Sequence, residues 1–338
     1  MIDFNKRAKQ KKDHIEVGFL FEFGKSKFNI RLFSDESGFS RQITDQNLHR
    51  PGLALAGFVD TFSFSRVQLF GNTEMRYLGQ MGKEYRKNAL ERLFQFKIPC
   101  IILTDNNEPF SDLVELANNN YIPILGTSLS TTKLTYFLSD FLDDQFAIRC
   151  TAHGSFVDVY GVGIIFVGKS GIGKSEVALD LVERGHRLVS DDVTILTKKG
   201  EWIITGTGAD INQHFMEIRG LGIINVEKMF GVRAIRYKKR LETVVELENW
   251  DINQNYERTG LDGSTINILD VNIPYVKLPI IPGKNITVIS EIIALHYLLK
   301  HYGYDAARTF DEELKRKLRG EINTLDRRGV SYIEHDIE

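Results

Sequence analysis

Short apolar runs bounded by turn residues, alternating with stretches of helical spacing, predict an α/β chain. Ile98-Pro-Cys-Ile-Ile-Leu103 is a compact apolar run stopped by Asp105-Asn-Asn, the pattern of a buried strand that ends in a turn. Phe110-Ser-Asp-Leu-Val-Glu-Leu-Ala then brings Leu113, Val114 and Ala117 to one side of a predicted helix. Asn118-Asn-Asn interrupts it, and Ile122-Pro-Ile-Leu opens another strand. Helical spacing resumes from Lys133 to about Asp144, and strand-rich sequence begins near Thr151. The expected boundary therefore lies near Gln145, with one α/β domain over residues 1–145 and a second over residues 146–338.

In the second half, Val162-Gly-Ile-Ile-Phe-Val167 is an apolar strand followed by a glycine loop. From Ser175 the spacing of Ala178, Leu181 and Val182 predicts a helix, with Gly185 placed as its C-terminal cap. Arg187-Leu-Val-Ser190 reads as a short strand. Runs rich in β-branched residues at Thr243–Leu247, Thr265–Leu269 and Ile286–Ser290 are expected strands, and helices are expected near Glu291–Lys300 and Ala306–Leu318. The charged stretch Lys6–Lys12 predicts a solvated chain end.

The glycine loop carries the sharpest chemistry. Gly168-Lys169-Ser170-Gly171-Ile172-Gly173-Lys174-Ser175 fits GxxxxGK[ST] at every required position. Glycines there let backbone amides turn toward phosphate oxygens, Lys174 brings a positive charge to the β/γ-phosphates, and the Ser175 hydroxyl can ligate Mg²⁺. A match by chance arises in roughly one chain in a hundred of this length, and the flanking strand and helix lower those odds further.

Downstream, Asp191 and Asp192 stand at the carboxyl end of a predicted strand, the edge where open α/β sheets place ligands. Paired carboxylates there suit metal handling or proton transfer, and equally a turn or a helix cap. His153 precedes a strand-like Phe156–Tyr160, and periodicity alone gives it no role. Glu217 and Arg219, ahead of a glycine pair, fit a metal ligand and a phosphate contact or a plain surface ion pair. Arg258 suits the steadying of charge on a transferred phosphoryl group, or a solvated turn.

Composition narrows the partners. A formal net charge of −2 offers no global basic field for nucleic acid or a membrane surface, and no apolar run approaches the ~20 residues that span a bilayer. With only Cys100 and Cys150, both expected as buried free thiols, and no apolar leader, the expected compartment is the reducing cytoplasm. The P-loop alone leaves three activities open: phosphoryl transfer to a protein, ATP hydrolysis coupled to a conformational change, and nucleotide sensing without turnover.

From about His49 to Leu318 the chain resembles the HPr kinase/phosphorylase family. The blocks that carry the resemblance are Arg50-Pro-Gly-Leu-Ala-Leu-Ala-Gly57 and Gly126-Thr-Ser-Leu-Ser-Thr-Thr132 in the first half. In the second they are His153-Gly-Ser-Phe-Val-Asp-Val-Tyr-Gly161, the P-loop, Val189-Ser-Asp-Asp192 and Glu217-Ile-Arg-Gly-Leu-Gly-Ile-Ile-Asn225. The resemblance implies a P-loop kinase domain with a mixed sheet behind a separate α/β N-terminal domain. It also implies ATP at Gly168–Ser175, Mg²⁺ at Ser175 and Glu217, and catalytic parts for His153, Lys174, Asp192 and Arg258. Asp192 matches the family's general base, the acceptor is a serine on the phosphocarrier HPr or a relative, and the assembly is a homohexamer. In the reverse direction inorganic phosphate enters and pyrophosphate leaves. One departure bears on that direction: the family's Pro-x-Arg-Pro-Gly-Arg loop stands here as Pro279-Ile-Ile-Pro-Gly-Lys284, with Ile281 and Lys284 at the arginine positions.

Overall fold

A computed structural model describes residues 10–209, 214–251, 263–281 and 283–318. The chain divides into compact units at Ile148/Arg149. The first unit opens with β1 (Ile15–Glu16), α1 (Val17–Lys27), β2 (Arg31–Leu32), β3 (Gln42–Ile43) and β4 (Leu48–His49). It continues through α2 (Gly52–Leu55), β5 (Val67–Phe70), α3 (Asn72–Gln80), α4 (Lys83–Phe94), β6 (Ile101–Leu103), α5 (Ser111–Asn119), β7 (Ile124–Gly126) and α6 (Thr131–Phe146). Its sheet runs β2-β7-β6-β5-β4, with β4 through β7 parallel and β2 antiparallel at the edge. Alternation decides which helices cover which face: Ile102 and Leu125 pack with α1 and α6, while Ile101, Leu103 and Ile124 pack with α3, α4 and α5. Cys100 and Cys150 are both buried, and neither forms a disulfide.

The second unit holds β8 (Arg149–His153), β9 (Ser155–Val159), β10 (Val162–Gly168), α7 (Lys174–Glu183), β11 (Arg187–Ser190), β12 (Val193–Lys199) and β13 (Ile203–Gly208). A hairpin of β14 (Phe215–Ile218) and β15 (Gly222–Asn225) leads into α8 (Val226–Phe230). Then follow β16 (Lys238–Arg240), β17 (Thr243–Asn249), β18 (Thr265–Ile268), β19 (Val271–Ile280), α9 (Ile286–His301) and α10 (Ala306–Leu318). The main sheet is mixed, in the order β11-β9-β10-β17-β19-β18. Here β10, β17 and β19 run parallel and the remaining pairs antiparallel. A second, antiparallel sheet runs β16-β13-β12-β8. No helix among the described residues is long and apolar enough to cross a membrane.

One sequence expectation is corrected. Ile286–Ser290 is not a strand but the first turns of α9. The Asn285 side chain accepts from the Val288 amide and so caps the helix, and Ile286, Thr287, Ser290, Glu291 and Ala294 share its buried face. The strand preference of β-branched residues is weak, and burial of one helical face outweighs it here. Strand β19 was hidden for a different reason. Pro274 and Pro279 interrupt a run whose burial otherwise alternates, with Val271, Ile273 and Tyr275 inward and Asn272 outward.

Candidate active site

Strand β10 lies inside the sheet with both faces covered, as its unbroken apolar run requires, and delivers the P-loop at its carboxyl end. Three glycines in the loop have left-handed φ values: +147° at Gly168, +80° at Gly171 and +102° at Gly173. At Gly168 space matters as well, since a Cβ would come within 2.5 Å of the Leu247 carbonyl oxygen. Gly173 is the residue from which α7 starts. The Lys174 ammonium folds back over the loop and donates to the carbonyl oxygens of Gly168 at 3.3 Å and Lys169 at 3.1 Å.

The far end of α7 is equally defined. Gly185, at φ +96°, donates to Val182 O at 2.9 Å while His186 N donates to Leu181 O at 3.0 Å, the paired bonds of a Schellman cap. Arg184 grips Glu291 of α9 with two bonds, at 2.8 and 2.7 Å, and His186 Nε2 lies 3.1 Å from the same carboxylate. Hydrogen bonding from Arg184 holds the Glu291 carboxyl below its usual range, with burial opposing. The helix that presents the loop is thus clamped to its neighbour at the end away from the loop.

Strand β11 leads into the two aspartates, and the backbone sends them in different directions. Asp191 is buried, and its Oδ1 accepts from Ser155 Oγ at 2.5 Å and from the P-loop hydroxyl, Ser175 Oγ, at 3.0 Å. Burial pushes its carboxyl above the usual range, while the two serines and the Asp192 amide pull the other way. Asp192 sits at φ +60°, and Val193 N donates back to Asp191 O at 2.7 Å, closing a three-residue turn of the rare, strained kind. That turn carries the Asp192 side chain into solvent at 77% exposure, with Oδ1 4.0 Å from Nδ1 of a 59% exposed His153. The β12–β8 register places His153 opposite Val193.

Of the residues singled out from sequence, Lys174, Ser175, Asp192 and His153 therefore gather around the carboxyl ends of β10 and β11 and the adjoining end of β8. Glu217 lies exposed on β14, a strand anchored by the buried Met216. The Ser175 hydroxyl bonds to Asp191 rather than to Glu217. Arg219, in the turn that follows, reaches the loop: a Cβ on Gly171 would lie 2.6 Å from an Arg219 guanidinium nitrogen. Among the described residues no group of three or more His, Cys, Asp or Glu side chains is arranged to hold a metal ion. Arg258 lies outside the described residues. Sequence reasoning did not reach the link from Ser175 through Asp191 to Ser155. The adjacency of two acidic residues was its only trace.

The family model described as HPr Serine kinase C-terminal domain matches residues 144–314, and the one described as HPr Serine kinase N terminus matches residues 16–142. The chain belongs to the HPr serine kinase family. Similar members include the HPr kinase/phosphorylase of Chloroherpeton thalassium, 51% identical over 343 residues and covering 100% of each chain. That of Prosthecochloris aestuarii is 50% identical, over 97% of each. A solved HPr(Ser) kinase/phosphatase from Coxiella burnetii is 32% identical and spans 47% of this chain and 97% of its own. Its TM-score of 0.43 leaves the fold of this HPr serine kinase family member to be read from its own strands.

Proposed function

We propose that this protein transfers the γ-phosphoryl group of ATP to a serine of the phosphocarrier HPr or a close relative, and removes it again by phosphorolysis. The observation that carries the reading is the division of labour between adjacent aspartates: Asp191 is bonded to the P-loop serine, while the next residue, Asp192, is exposed beside His153. The loop amides and Lys174 hold the β/γ-phosphates, and Lys174 gives up its two carbonyl contacts to do so. Asp192 takes the proton of the incoming serine hydroxyl and returns it in the reverse direction. His153 stands close enough to orient that carboxylate, and Arg258 steadies the charge on the transferred group.

The donor set also suits Mg²⁺. Ser175 and Glu217, the ligands of this reading, offer only hard oxygen atoms, and the lack of a larger acidic cluster among the described residues fits an ion that keeps waters and takes phosphate oxygens. Held by Ser175 and Glu217, Mg²⁺ would supply neutralisation of the charge that develops on the phosphates. Because the Ser175 proton is committed to Asp191, the serine's lone pairs are left free for the ion, with Glu217 as the other ligand in this reading. The protein works as a homohexamer in the cytoplasm, with phosphate and pyrophosphate as the small partners of the reverse reaction and no nucleic acid or membrane involved.

Incubation with γ-labelled ATP and a host lysate tests the assignment. One small labelled protein is the expected result. Release of phosphate without an acceptor identifies an ATPase, and binding without consumption identifies a nucleotide sensor.

Every residue given a role lies beyond Ile148, so the second domain is expected to carry the chemistry alone. A start at residue 146 would expose Phe146, which packs in the first unit's core, so the chain is better cut at Arg149. That fragment should still phosphorylate the acceptor, and a folded but inactive fragment would show that the first domain completes the site.

The direction of the reaction depends on the turn between β19 and α9. It is closed by Lys284 N donating to Ile281 O at 3.0 Å, with Gly283 at φ +84°, and Lys284 is exposed. Holding a second anion beside phosphoserine favours the bidentate fork of arginine, which neither Ile281 nor Lys284 supplies. Phosphorolysis is therefore expected to be weak beside a normal kinase reaction. The check supplies phosphorylated acceptor and phosphate without ATP and follows pyrophosphate: Ile281→Arg should speed its release. Rapid release by the wild type, unimproved by the substitution, would clear this turn of any limiting part.

A further inference from the structure

Ser155 is the first residue of β9, paired in register with Phe166 of β10, and its side chain is 1% exposed. A buried hydroxyl must find a partner, and this one donates to Asp191 Oδ1 at 2.5 Å. The same oxygen accepts from Ser175 Oγ at 3.0 Å. Two serines, 20 residues apart in sequence and carried on different elements, thus hold one carboxylate oxygen between them.

We infer that Ser155 is a positioning residue for the metal site, acting through Asp191 on Ser175; the inference rests on the nucleotide and Mg²⁺ reading above. A carboxylate that is 4% exposed can turn toward any available donor. Ser155 opposes that turning. Its hydroxyl pins Oδ1 in one place, where the same oxygen meets the P-loop hydroxyl. With its proton held there, Ser175 presents its lone pairs to an incoming cation without a rearrangement. Ser155 itself touches neither nucleotide nor ion in this account. Asp191 is the partner one bond removed from Ser175, a kind whose loss typically changes metal affinity by about 10–100-fold, and Ser155 is what holds it in place.

The test uses full-length protein and a non-hydrolysable ATP analogue, with affinity measured by calorimetry in the presence and absence of Mg²⁺. Valine and threonine have nearly the same shape and differ in the hydroxyl, so Ser155→Val and Ser155→Thr separate hydrogen bonding from packing. Wild type should bind the analogue more tightly with Mg²⁺. Ser155→Val should lose about ten-fold of that enhancement while keeping its Mg²⁺-free affinity, and Ser155→Thr should retain most of it. Ser155→Ala, which adds no volume, should follow valine and serves if valine does not fold. Equal enhancement in wild type, Ala and Val would overturn the inference, as would equal loss in Val and Thr, which would mark packing as the cause. If the wild type bound no analogue at all, the nucleotide reading itself would fail.

Discussion

Replacing Lys174 with alanine is expected to abolish phosphoryl transfer, a loss of about 10³-fold or more. The ammonium already lies over the loop, 3.1–3.3 Å from two of its carbonyl oxygens, so a phosphate entering the loop exchanges neutral acceptors for charged ones. Arg219 also reaches the loop, but it approaches Gly171 from the β14–β15 turn, and the Lys174 position at the start of α7 is left vacant in the variant. Steady-state transfer to the acceptor measures the effect. Near wild-type turnover in a folded Lys174→Ala protein would remove the P-loop from the mechanism.

Asp192→Asn is expected to lower kinase turnover by about 10²–10⁴-fold, the usual worth of a general base, with ATP affinity nearly unchanged. The contrast with its neighbour is the informative part. Asp191→Asn exchanges one accepting oxygen for a donor in a buried place that already holds two serine donors, so its damage should fall on Mg²⁺-dependent nucleotide binding. Asp192 bears no such duty, and its exposed side chain is free to meet an acceptor. Turnover that fell more in Asp191→Asn than in Asp192→Asn, at saturating Mg²⁺ and ATP, would reverse the assignment of base.

What could be read from the sequence follows from how locally each feature is determined. The P-loop was legible in full because phosphate binding dictates glycines where φ is positive, and Gly168, Gly171 and Gly173 adopt those values. The helix behind it and its Gly185 cap were legible for the same reason, since one turn of chain decides both. Strand β11 was found, and a turn after it was one of the readings left open. Whether two adjacent aspartates diverge depends on the φ of +60° at Asp192, and aspartate is tolerant of both signs of φ. The partner of Asp191 was hidden too, because Ser155 lies 36 residues earlier on another strand. The misread start of α9 shows the limit of composition: Ile286–Ser290 looks like a strand until Asn285 is recognised as a cap.

The central claim is a serine kinase that uses one aspartate for the P-loop serine and the other for the acceptor. Purified HPr-type phosphocarrier, ATP and Mg²⁺ are combined with the protein, and ADP formation is followed beside phosphate on the acceptor, located by mass spectrometry. The account predicts one phosphate on one serine for each ADP formed, with both signals lost together in Asp192→Asn. ADP formed without phosphoserine, or undiminished transfer by Asp192→Asn, would contradict it.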